Sequence, residues 1–129
     1  MATECRARVL VIDDDPDIRE ILGYLLTTLG YDTHAAADGV EGLALFHQER
    51  YDLVLTDLGM PGLTGWEVAG AVRQRTPTVG VILITGRATE EVAGRARAEG
   101  LPLVPKPFSL DTLKTVVAKA LRAVERSDP

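Results

Sequence analysis

Short apolar runs alternate along this chain with longer segments whose apolar residues recur every three or four positions. The first run, Arg8-Val9-Leu10-Val11-Ile12, reads as a buried strand. The segment after it carries a helical stripe at Ile18, Ile21, Leu22, Leu25, Leu26 and Leu29. Asp15 is its expected N-cap, Pro16 suits the first helical position, and Gly30 stops it. A short strand is expected at Asp32–Ala36, then a helix to about Arg50, with Asp38 and Glu41 at capping-box spacing. A third strand over 52–56 leads into the breaker-rich loop Gly59-Met60-Pro61-Gly62-Leu63. Thr64 and Glu67 then cap a helix that ends before Pro77. The fourth strand, 79–84, is continuously apolar after Gly80, as a strand buried on both faces should be. The helix over 89–99 has a stripe made mostly of alanine and is interrupted by Gly94. A fifth strand falls at 101–104, and Ser109 caps a last helix with the stripe Leu110, Leu113, Val117, Leu121 and Val124.

Strand and helix alternate five times, which predicts an α/β fold with a parallel sheet covered by helices on both faces. Residues 8–125 form one domain, 1–7 an N-terminal tail, and 126–129 a C-terminal tail or the start of a linker. No internal repeat or low-complexity segment interrupts the pattern.

Composition narrows the function classes. The chain has 129 residues, enough for one domain with a real core, and 46% hydrophobic with 26% charged residues is ordinary for a globular protein. A net charge of −5 argues against binding nucleic acid, which needs a basic surface. The lone cysteine, Cys5, permits no internal disulfide and is read as an inert terminal thiol, suiting a reducing compartment. No apolar stretch approaches the about 20 residues that span a bilayer, and the first residues contain no signal-peptide core. The expectation is a cytoplasmic protein without membrane contact.

The chemistry gathers where strands end. Asp13-Asp14-Asp15 close the first strand, Asp57 follows the third, Thr85 the fourth and Lys106 the fifth. Carboxyl ends of a parallel sheet share one edge, the usual ligand crevice of such folds. Stacked carboxylates repel one another and resist desolvation, so a positive partner is expected, most simply Mg²⁺, which prefers oxygen ligands. Three carboxylates balance one lysine and one divalent cation. Asp15 is read as a cap rather than a ligand, and Thr56 and Thr64 as strand and cap residues. His34 and His47, without partners at metal spacing, have surface or packing roles. Glu90-Glu91 is a solvated helix start, and Trp66 lines a core or groove.

Four segments together resemble the receiver domain of bacterial two-component response regulators, over about Arg8 to Val124. They are Val9-Leu10-Val11-Ile12-Asp13-Asp14-Asp15, Asp52-Leu53-Val54-Leu55-Thr56-Asp57-Leu58-Gly59-Met60-Pro61-Gly62, Val81-Ile82-Leu83-Ile84-Thr85-Gly86 and Lys106-Pro107-Phe108. The resemblance implies a flavodoxin-like three-layer sandwich with strand order 2-1-3-4-5. It implies that Asp57 accepts a phosphoryl group from a histidine kinase or phosphotransfer protein. Asp14 would bind Mg²⁺ directly and Asp13 mostly through water, with Asp57 and the Gly59 carbonyl adding oxygens. Lys106, after which the peptide bond would be cis, and the Thr85 hydroxyl would meet the phosphoryl group. A downstream protein or output domain would read the change, and the domain would be a monomer or a weak phosphorylation-dependent dimer. Catalysis would be limited to its own phosphorylation and dephosphorylation.

Two departures stand out. Leu103 occupies the position where the family carries an aromatic switch residue, so either coupling would pass through Thr85, the packing of Leu103 and the fourth helix, or the output would rely on another surface. Gly59 and Arg87 stand where the family tunes the phosphoryl lifetime. The competing readings are a degenerate receiver that only binds partners and a phosphatase of the haloacid-dehalogenase type. Against the latter, no acidic pair follows the lysine and the chain leaves no room for a substrate-covering cap.

Overall fold

The computed structural model describes residues 6–127, with side chains through Ala123. Cys5, the Val124 side chain and most of the two tails lie outside the described residues. Strands and helices alternate throughout: β1 (Arg8–Ile12), α1 (Pro16–Thr28), β2 (Asp32–Ala36), α2 (Gly39–Gln48), β3 (Leu53–Asp57), α3 (Gly65–Arg75), β4 (Gly80–Thr85), α4 (Glu90–Ala98), β5 (Leu103–Pro105) and α5 (Leu110–Ser127). The five strands are parallel in the order β2-β1-β3-β4-β5, as the resemblance implied.

Side chains alternate across each strand, so the sheet separates two apolar layers. Val9, Val11, Leu53, Leu55, Ile82 and Ile84 face Leu22 and Leu26 of α1 and Leu113 and Val117 of α5. Leu10, Ile12, Val54 and Leu83 face the other way, toward Phe46 of α2, Val68 and Val72 of α3 and Ala96 of α4. Every residue of β3 is buried. That burial explains the unbroken apolar run that identified the strand.

Helix ends follow the sequence closely. The Asp15 side chain accepts from Asp17 N–H at 2.9 Å, and Gly30 leaves α1 at φ +98°, a left-handed conformation that glycine adopts without penalty. Thr64 and Glu67 form a full capping box, and Ser109 Oγ accepts from Thr112 N–H at 3.1 Å. At α2, Asp38 accepts from Glu41 N–H as expected. Glu41, however, reaches past the cap to Ala37 N–H, so the box is not reciprocal.

Several boundaries differ from the expected ones. β3 and β4 each run one residue later, because Asp57 and Thr85 are themselves paired in the ladder. Asp52 stays outside it and instead accepts the Arg8 N–H at 2.8 Å. β5 starts at Leu103 rather than 101, with the Pro102 carbonyl accepting from Leu83 N–H just before it. α2 stops at Gln48, where Glu49 turns extended. Gly94 does not break α4. α5 continues through Arg126 and Ser127, which the sequence assigned to the tail.

At the amino end of the sheet one cation joins three elements. Arg8 Nε lies 3.1 Å from Asp32 and its Nη1 3.1 Å from Glu49, while its backbone holds Asp52. His34, for which a surface or packing role is expected, meets the Tyr51 hydroxyl at 2.7 Å and lies 3.7 Å from Asp32.

Gly65 sets how closely α3 approaches the end of β3. Its N–H donates to the Leu58 carbonyl at 3.1 Å. A Cβ there would come within 2.5 Å of the Asp57 carbonyl oxygen and 2.9 Å of Leu58 Cα. Backbone cannot yield as a side chain can, so Gly65→Ala is expected to lose about 1–3 kcal/mol of stability in urea denaturation. Gly70→Ala, in the same helix with open space around it, should instead gain about 0.4–1 kcal/mol. Equal midpoints for the two variants would refute this account of the α3 contact.

Candidate functional site

The parallel sheet brings the candidate residues to one edge. β1 and β3 are neighbours, so Asp13, just beyond β1, stands beside Asp57 at the end of β3. Lys106, just beyond β5, reaches both from the far side of β4. Its Nζ lies 3.0 Å from Asp13 Oδ2 and 3.3 Å from Asp57 Oδ1. The Lys106 N–H also donates to the Thr85 carbonyl at 2.7 Å, which ties the start of the loop to β4. The Lys106-Pro107 peptide bond is cis.

The two neighbouring aspartates have different surroundings. Asp13 is fully buried, and its Oδ1 accepts the Asp15 N–H at 2.9 Å. Asp13 Oδ2 has the ammonium nearby but no well-directed hydrogen-bond donor. Asp14 is exposed and makes no hydrogen bond or ion pair among the described residues. Asp15 is engaged at its helix end and does not join the cluster. Carboxylate oxygens of Asp13, Asp14 and Asp57 lie within 4.8 Å of one another.

This electrostatic balance is incomplete. Burial raises the Asp57 pKa above the ordinary carboxylate value, and the Asp13 charge raises it further, with Lys106 opposing both. Burial alone would lower the Lys106 pKa, but Asp13 and then Asp57 outweigh it, so the ammonium is held charged. Among the described residues one ammonium is paired with two of the three clustered acids, and the remaining negative charge favours a further cation. A buried, poorly directed Asp13 oxygen, a free Asp14 and a nearby Asp57 suit a hard divalent ion such as Mg²⁺.

A cleft of about 390 Å³ opens beside Asp57, lined among others by Gly59, Trp66, Thr85, Arg87 and Val92. Gly59 and Gly86 have open space where side chains would stand. Thr85 Oγ1 accepts the Arg87 N–H at 3.0 Å, which leaves its hydroxyl proton for an acceptor in the cleft. A slightly larger cleft, about 420 Å³, lies at the amino end of the sheet between Phe46, Tyr51, Arg75 and Val79. It holds none of the residues gathered at the carboxyl edge, and its size does not make it the centre of the chemistry.

Some positioning groups escaped the sequence. Arg19 Nη1 donates to the Asp13 carbonyl at 2.8 Å and fixes the turn that carries Asp13. Its place one helical turn beyond Asp15 was the available signal. The Arg95 guanidinium lies 4.2 Å over the Trp66 ring, a pairing between two helices that no spacing within one helix reveals.

Residues 9–118 match the family described as the response regulator receiver domain. The response regulator protein PilR of Pseudomonas aeruginosa is 36% identical over 91% of this chain. The chain spans only 26% of PilR's own length. Among solved structures, the response regulator TrrA of Thermotoga maritima, in complex with Mg²⁺-BeF, superposes with a TM-score of 0.81. It is 37% identical and covers 88% of this chain and 98% of that one. The chemotaxis protein CheY4 of Vibrio cholerae gives a TM-score of 0.84 at 31% identity, over 90% and 99% of the two chains. The family match runs from the first strand into the last helix, and this chain belongs to the response regulator receiver domains.

Proposed function

We propose that this receiver is a phosphoacceptor switch in which Asp57 takes a phosphoryl group from a histidine kinase or phosphotransfer protein. The observation that carries the reading is the convergence of Asp13, Asp14 and Lys106 on Asp57 beside an open cleft. An Asp57 oxygen attacks the phosphorus, the donor's phosphorus–nitrogen bond breaks, and the departing imidazole keeps the electron pair and takes up a proton. The product is an acyl phosphate. An ionised carboxylate needs no base, so the protein's work is positioning and charge neutralisation.

Each neighbour has a distinct role in this reading. The Lys106 ammonium, already between Asp13 and Asp57, meets the incoming charge as a point cation. The Thr85 hydroxyl, its oxygen already accepting from Arg87 N–H, donates its proton to a phosphoryl oxygen. Asp13, Asp14, Asp57 and the Gly59 carbonyl would hold Mg²⁺, which when bound would supply positive charge to offset the acids and the incoming phosphoryl group. Solution of the related TrrA in complex with Mg²⁺-BeF supports this assignment. Arg87 at the cleft rim and the bare Gly59 would set the phosphoryl lifetime.

The site acts in the cytoplasm in this reading, where kinases present phosphohistidine. Among the described residues no helix is long and apolar enough to cross a membrane. The recipient of the signal is a downstream protein or output domain.

Incubation with Mg²⁺ and acetyl phosphate is expected to add one phosphoryl group by intact mass. The adduct should require Mg²⁺ and be absent from Asp57→Asn. An adduct of equal yield in that variant, or none in the unaltered protein, would overturn the assignment.

The raised Asp57 pKa also fixes a pH dependence. A carboxyl whose folded pKa lies above its unfolded value contributes stability that is complete below the unfolded pKa. That contribution is lost as pH rises through the folded one. At neutral pH the ionised Asp57 therefore opposes folding. Asp57→Asn should melt at a higher temperature than the parent at pH 7, and the gap should close as pH falls below 3.8, the ordinary carboxylate value. Millimolar Mg²⁺ should raise the parent's melting temperature more than the variant's. Melting curves that keep the same gap at every pH would contradict the electrostatic account.

A further inference from the structure

Trp66 is the second residue of α3 and walls the cleft that holds Asp57 and Thr85. The Arg95 guanidinium of α4 lies 4.2 Å over its ring. Arg95 Nε is also held by Glu99, one turn on, at 2.7 Å. At the far end of α4, Arg73 of α3 donates to the carbonyls of Glu99 and Gly100 at 2.8 and 3.3 Å. α4 itself buries only Ala96 fully, with Val92 half-buried beside the cleft. Two side chains of α3 therefore attach to α4, one near each end of the contact between the helices. One of those contacts borders the phosphoacceptor cleft and the other does not. A helix with so little buried apolar surface opens at low free energy, so small changes in its attachments shift it.

We infer that Trp66 passes the phosphorylation state of Asp57 to α4 through its contact with Arg95, an inference that rests on the phosphoacceptor reading. Position 103 is a leucine packed against the α2–α4 layer, so β5 has no ring to turn inward there. Trp66 offers a flat aromatic surface with the cleft beside it and a cation of α4 over it. A phosphoryl group on Asp57 adds volume and negative charge in the space the indole walls. That charge also acts on Arg95, the cation stacked on the same indole. The ring, the guanidinium and the helix carrying it respond as one unit. Trp66 is in this sense a positioning residue, acting on α4 through Arg95 and touching no reacting atom.

Trp66 is the sole tryptophan of the chain, so its emission reports this location alone. The test uses the full chain with Mg²⁺ and beryllium fluoride and reads acrylamide quenching of Trp66 together with amide exchange over α4. Both are expected to change in the unaltered protein, and neither in Asp57→Asn. Arg95→Gln, at an exposed position, should still gain one phosphoryl group from acetyl phosphate by intact mass. Its α4 amides should lose about two- to fivefold protection without the activator, the range expected for one exposed cation–π contact. Their response to beryllium fluoride should fall by a similar factor. Arg95→Lys should restore most of that response. Glu99→Gln, which breaks only the ion pair, should retain it. An α4 response of full size in Arg95→Gln would overturn the inference, as would a phosphorylated parent in which Trp66 and α4 stay silent. Failure of the parent to take up any phosphoryl group would instead remove the phosphoacceptor reading beneath it.

Discussion

A single ammonium between two buried carboxylates governs the carboxyl edge of this sheet. Lys106 stands 3.0 Å from the Asp13 carboxylate and 3.3 Å from that of Asp57, and neither carboxylate has a second ion pair among the described residues. Removing two carboxylates from water is tolerable only with compensation of this kind. The compensation is deliberately short by the measure of simple charge counting. Asp14 adds a third negative group at the surface, and burial keeps Asp57 reluctant to ionise. A fully neutralised cluster would be an inert structural feature, whereas a deficit of positive charge gives an incoming cation something to bind. The topology creates that deficit. β1 and β3 are adjacent, so their terminal acids cannot avoid each other, and β4 separates both from the strand that delivers the lysine.

Most of this was legible in the chain, for reasons that differ by element. β3 and β4 are buried on both faces, so they appear as unbroken apolar runs and were easy to find. Their last residues were misplaced because Asp57 and Thr85 are polar yet still make ladder pairs. Polarity ended the pattern one residue before the hydrogen bonds did. Asp15, Thr64 and Ser109 were identified because capping is local chemistry, set by residues three apart. The Arg19 bond to the Asp13 carbonyl and the Trp66–Arg95 stack were missed because each joins segments whose approach the fold decides. His34 shows the same limit. Its neighbours Asp32 and Tyr51 come from its own strand and from the approach to β3, and only the second is remote in sequence.

The two layers of helices play unequal parts. α1 and α5 cover one face with leucine and valine, and Leu22, Leu26, Leu113 and Val117 are fully buried. On the other face α3 is fixed to the end of β3 by the close approach of Gly65 to the Asp57 backbone. α4 shares that face with far less apolar contact. A firmly seated helix next to a lightly seated one, both bordering the same cleft, concentrates mobility at one place. It also leaves the remaining frame to keep the acids in register.

Arg8 marks the opposite edge of the sheet. Its links to Asp32 and Glu49 lie at the surface, with side chains between about a third and a half exposed. Ions in solution screen such pairs within a Debye length of about 8 Å at physiological ionic strength, but reach a buried cluster poorly. The two ends of the same strands therefore differ in how strongly monovalent electrolyte reaches them. Ordinary salt loosens the clasp where the strands begin and leaves the charge balance where they finish largely untouched. Rising ionic strength thus weakens the amino-end clasp before it reaches the contacts of Lys106 with Asp13 and Asp57.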